Sequence, residues 1–134
     1  MRQRGILIMM ILLLCCSCGR QRRVNAFMEH DELRLQVAGK VQFRYDKLNC
    51  QLSFSRDRNE FRAQTDNTSD FYTVRLNFIP TQVGETVTAD LSWTTDTDIL
   101  HRKNLTLEVV RIEGDKIWLW SDSGRIGVSL RVLE

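Results

Sequence analysis

Val87-Thr88-Ala89-Asp90-Leu91-Ser92-Trp93-Thr94 places an apolar side chain at every second position and a polar one between. In extended backbone, successive side chains point to opposite faces, so this stretch has one dry face and one wet face. The same two-residue repeat recurs on both sides of it. Leu33, Leu35 and Val37 alternate with polar partners, then Val41, Phe43 and Tyr45, then Leu48, Cys50, Leu52 and Phe54. Phe61 and Ala63 follow, and Tyr72, Val74, Leu76 and Phe78 form another such face before Pro80 ends the run. Leu105, Leu107 and Val109 restart the alternation, which slips at Val109-Val110 before Ile112 and predicts either a bulge there or a stretch covered on both faces. Ile117-Trp118-Leu119-Trp120 is apolar on both faces, and Ile126, Val128, Leu130 and Val132 close the chain.

Turn-forming clusters separate these runs: Arg56-Asp57-Arg58-Asn59, Asp66 to Asp70, Glu113-Gly114-Asp115-Lys116 and Asp122-Ser123-Gly124. The pattern predicts an all-β domain of about seven to eight strands over 33–134, as an antiparallel β-sandwich (Ig-like) or a small β-barrel. No strand carries the regular small-residue or bulge pattern of a closed barrel's corners, which favours the sandwich. Residues 105–133 read as a three-stranded meander, Thr95 to Asn104 as a long polar loop, and 24–32 as linker with at most a helical turn.

The first residues obey a different logic. Arg2 and Arg4 precede an apolar run from Ile6 to Leu14, followed by Cys15-Cys16-Ser17-Cys18-Gly19. Counted on to Ser17, the run covers roughly 18 Å as a helix, against the roughly 30 Å of a bilayer's hydrocarbon core. A positive start, a short apolar core and a small residue before a cysteine resemble a bacterial lipoprotein leader, of the kind cut by signal peptidase II. The resemblance covers about the first 18 residues, with Cys15 where the family usually has Leu; Cys16 and Cys15 are alternative acceptors. It implies a signal peptide over 1–17, lipidation of Cys18, and a lipid-anchored tether over 18–32. Arg20, Arg22 and Arg23 then stand beside the headgroups. They are unlike an acidic surface-export signal, so the implied location is the cell envelope, on the outer membrane and facing the periplasm.

Beyond the leader roughly 115 residues remain, one domain's worth. Removing 1–17 removes Arg2 and Arg4 and no acid, which leaves 17 basic residues of the 19 against 17 acidic. A balanced surface argues against nucleic acid as a partner. Cys50 shares its face with Leu48, Leu52 and Phe54, so it reads as a packed thiol. No cofactor or phosphate-loop motif is present after the leader, and only His30 and His101 offer a catalytic base, which argues against an enzyme. Asp96, Asp98 and His101 lack the glycine and closing glutamate of a calcium loop and read as a solvated loop. The candidate binding residues are aromatic. If Ile117 and Leu119 point inward, Trp118 and Trp120 form an outward pair suited to a glycan or protein partner; otherwise both pack under the 95–104 loop or between sheets. Phe71, out of phase with Tyr72, is a second candidate. The expected role is a membrane-anchored envelope protein whose β-domain binds a protein or glycan or supports an assembly. The alternative is a lipocalin-like barrel carrying a small hydrophobic ligand.

Overall fold

The computed structural model describes residues 19–44, 50–66 and 70–133. The leader, Cys18, Tyr45 and Leu48 lie outside the described residues. Nine strands form: β1 (Arg34–Val37), β2 (Lys40–Arg44), β3 (Cys50–Ser55), β4 (Glu60–Thr65), β5 (Phe71–Leu76), β6 (Thr86–Thr94), β7 (Ile99–Glu113), β8 (Lys116–Ser121) and β9 (Ile126–Arg131). They join one antiparallel sheet in the order β2-β1-β9-β8-β7-β6-β5-β4-β3. The all-β expectation therefore holds, with more strands than expected and a single curled sheet.

The alternation seen in the sequence gives the sheet one buried face. Val87, Ala89, Leu91 and Trp93 of β6 are buried on the concave face, with Tyr72, Val74 and Leu76 of β5 and Leu107 and Val109 of β7. Leu35, Phe61, Leu119, Val128 and Leu130 meet them from the other strands. The curl is tight enough for distant strands to touch. The Phe43 ring of β2 packs edge-on to Tyr72 at 4.8 Å, and the Tyr72 hydroxyl donates to the Ser129 carbonyl of β9 at 3.0 Å. Register slips at Leu35/Gln36, Ala89/Leu91 and Val109/Arg111 supply the local bending. The last is the bulge expected from Val109-Val110, and β7, β8 and β9 form the expected meander.

Two expectations are corrected. The span 95–104 is not a long loop: Trp93 pairs Leu100, Ser92 pairs His101 and Leu91 pairs Arg102, so β7 begins at Ile99 and only a short turn remains. Backbone pairing holds these residues, whose side chains from Ile99 to Asn104 are exposed. The second correction is larger. Residues 19–28 are helical and lie on the convex face of the sheet rather than forming a linker. The helix thus packs as part of the same unit as the strands.

Because every neighbouring pair is antiparallel, the connections sort to two ends of the sheet. One end carries the turns at 38–39, 95–98 and 122–125, with the end of β4 and the start of β5; the other carries 56–59, 77–85 and 114–115. The Ala38 amide bonds the Gly124 carbonyl at 3.0 Å, which locks two turns of the first end together.

Candidate functional site

On β8, Ile117 and Leu119 face the core, so Trp118 and Trp120 point outward, as one of the two sequence readings requires. They are nevertheless buried, at 0% and 2% exposure, and do not form an open aromatic pair. The 19–28 helix covers them. Its residues Val24 and Phe27 are buried with the two indoles, and Met28 and Val110 border the cluster. Phe27 lies 5.9 Å from the Trp120 ring, tilted by 43°. Each ring also has its polar edge satisfied. Trp118 Nε1 donates to the His30 carbonyl at 3.2 Å and Trp120 Nε1 to Asp122 Oδ1 at 2.9 Å. A tryptophan carries roughly 150–250 Å² of surface, so hiding one ring contributes on the order of 4 kcal/mol.

Charge fixes the helix at both ends. Arg20 donates to Asp122 at 2.8 Å and pairs with Glu108, while Arg111 donates to the Met28 carbonyl at 2.7 Å. Arg111 thereby serves a carbonyl of the helix's last turn, where a cation is favoured, and its guanidinium also covers the Trp118 ring at 4.4 Å. Gly127 sits opposite Trp120 in the β8–β9 register and is needed there. A Cβ on it would fall 2.9 Å from the Phe27 ring.

Phe71 is half-buried on β5, beneath the Arg62 guanidinium at 4.0 Å. Its face is occupied by a neighbouring side chain of the same molecule. Trp118, Trp120 and Phe71 are not brought together into one site. Cys50 is buried, as its period requires. Asp96, Asp98 and His101 are all exposed, and among the described residues no group of three or more His, Cys, Asp or Glu gathers as metal ligands. A shallow cleft of about 190 Å³ does bring Glu60, Thr73, Asp90, Ser92 and His101 to one wall of the sheet. Its polar groups already serve the fold: the Thr73 and Ser92 hydroxyls bond each other at 2.6 Å, and Asp90 accepts from the Asn104 amide at 3.1 Å.

The feature with no forerunner in the sequence is an open groove of about 650 Å³ at the far end of the sheet. Ile79, Pro80, Ile112, Ile117 and Val132 supply its apolar wall. The 79–81 segment, the β7–β8 turn and the residues after β9 meet there only through the fold. Ile112 and Val132 were legible as apolar positions, but nothing local marks them as neighbours of Pro80. No protein-family model, curated protein or solved structure matches the chain. Among the described residues no helix is long and apolar enough to cross a membrane.

Proposed function

We propose that this is a lipid-anchored protein of the bacterial cell envelope whose curled β-domain is an interaction or structural module. The observation that carries the reading is the leader sequence itself: Arg2 and Arg4, the apolar run from Ile6 to Leu14, then Ser17 before Cys18. The 19–28 helix lies beyond that motif and packs on the sheet. A cleavage just before Cys18 removes the apolar run and leaves the helix that seals the tryptophans untouched. Acylation of Cys18 then supplies the membrane attachment, since several acyl chains hold a protein far more firmly than one. The outer membrane, facing the periplasm, is the proposed location.

Of the two ways to use the domain, the packed concave face favours interaction over carriage. Phe43 and Phe61 pack against Tyr72 within the curl, edge-on and tilted with ring centres 4.8 and 5.7 Å away, where a barrel carrier would hold its ligand. The same cross-sheet contact leans the shape toward a partly closed barrel. Burial of Trp118 and Trp120 withdraws the aromatic platform a glycan would use. The open apolar surface of the groove is aliphatic, which suits side chains of a protein partner better than a sugar face.

Metabolic labelling with a clickable palmitate analogue tests the attachment. The wild type takes up label and Cys18→Ala does not. Equal labelling of both moves the acyl site, and an unlabelled wild type that retains residues 1–17 overturns the reading.

A further inference from the structure

We propose that the end of the sheet carrying the 38–39 and 122–125 turns is the face that rests on an anionic phospholipid bilayer. The inference builds on acylation of Cys18, and adds an orientation that acylation alone does not give. Arg20 is the anchor of the argument. It is held to Asp122 in the 122–125 connection and to Glu108, so the start of the helix is pinned to this end. Consecutive Cα atoms are 3.8 Å apart, which puts Cys18 within about 7.6 Å of Arg20. An acyl chain on that residue is thereby attached within two residues of this end.

What the end exposes suits the surface it would meet. Arg22 and Arg23, on the first turns of the helix, are exposed, and so are Lys40 and Arg125. The two turns are in contact, since a Cβ on Gly39 would lie 3.9 Å from Arg125 Nη1. Val41 follows Lys40 and is 48% exposed, a large aliphatic side chain beside the cations. The nearby carboxylates Asp122 and Glu108 are already paired with Arg20. Asp96 and Asp98 stand beside exposed Ile99 on the β6–β7 turn, and that turn is not assigned to the contact. The opposite end carries both signs: Glu29 and Asp57 are exposed there with Arg56 and Arg58. Asp31, Glu113 and Asp115 pair with Lys116, Arg111 and Arg131, and the aliphatic groove opens there. The corner formed by the 38–39 and 122–125 turns and the helix start is thus cationic, although Asp66 and Asp70 share its end of the sheet, and the groove lies at the other end.

The test uses the full acylated chain in vesicles of phosphatidylethanolamine with phosphatidylglycerol. A nitrobenzoxadiazole probe is placed at Val41→Cys or, as a control, Asp115→Cys, in a Cys50→Ser background, and quenched with spin-labelled lipid. Mass spectrometry of the same samples reports acylation of Cys18. Quenching at least threefold stronger at 41 than at 115 is expected. It should fall to the control level in Lys40→Glu/Arg125→Glu and on phosphatidylcholine vesicles, with acylation intact. Equal quenching at both positions on an acylated chain overturns the orientation and leaves the lipoprotein reading standing. Quenching at 41 that ignores both the charge reversal and the lipid charge overturns the anionic recognition. Absence of acylation removes both. If Cys50→Ser does not fold, hydrogen exchange on the unsubstituted acylated chain decides. Membrane-dependent protection of 37–42 and 122–126, but not of 113–116, is the expected result, and its absence refutes the proposal.

Discussion

Gly127 and Phe27 meet as closely as a backbone and a ring can. The missing side chain is what lets the helix sit on the sheet, so Gly127→Ala forces the ring or the strand to move. Overpacking of this kind costs about 1–3 kcal/mol, and urea unfolding should show a loss in that range. In a double-mutant cycle with Phe27→Leu, the penalty of Gly127→Ala should shrink, because the smaller side chain can yield. Equal penalties in both backgrounds would mean the two residues do not press on each other. Tyr72 makes a different residue-scale prediction. Burial pushes its phenol well above the ordinary value of 10.0, and the neighbouring Cys50 adds to the rise. The folded state thus keeps the proton at a pH where the unfolded chain begins to release it. Stability is fully present below pH 10 and declines as pH rises beyond it. Tyr72→Phe removes the donor to the Ser129 carbonyl and should cost about 1 kcal/mol at neutral pH. It should also unfold with a weaker alkaline dependence than wild type, so that the two midpoints converge above pH 10. Parallel curves would refute the assignment.

The helix is the element that changes the reading of the whole surface. With Val24, Phe27, Trp118 and Trp120 in one cluster, Phe27→Ala should cost about 3–5 kcal/mol and loosen the lid. Steady-state fluorescence should then shift to the red and acrylamide should quench more of it, while Trp93, on the concave side, stays protected. An unshifted spectrum in a folded variant would show that the helix is not what dries the indoles. The strands were legible because each has one face that must leave water and one that need not. Thr86–Thr94 is the clearest case, buried at every second residue. The helix was not legible because its inward stripe is short: only Val24, Phe27 and Met28 are apolar there, behind Arg20 and among exposed Arg22, Arg23 and Glu29. Its stability comes from the surface beneath it rather than from its own sequence. The start of β7 was hidden for the opposite reason: its residues look like loop, and only their hydrogen bonds to β6 make them strand. The sequence leaves open which way Trp118 and Trp120 face; they face away from the core, yet the 19–28 helix covers them and turns a candidate platform into a seam.

At the scale of the molecule, the sheet is a run of hairpins with one exception. Neighbours in sequence are neighbours in space from β3 to β9, so most of the pairing is local. The exception is β1, which pairs β9, and the helix, whose contacts lie on β7, β8 and the turn after it. Leu35 meets Val128, and the Arg34 amide bonds Ser129 Oγ at 2.9 Å. The earliest part of the polypeptide is therefore completed by the latest. During synthesis β1 can pair β2 as soon as both have emerged, but its other edge must wait for β9, and the underside of the helix for β7 and β8. The order of emergence therefore makes the last strand the one that locks the first in place.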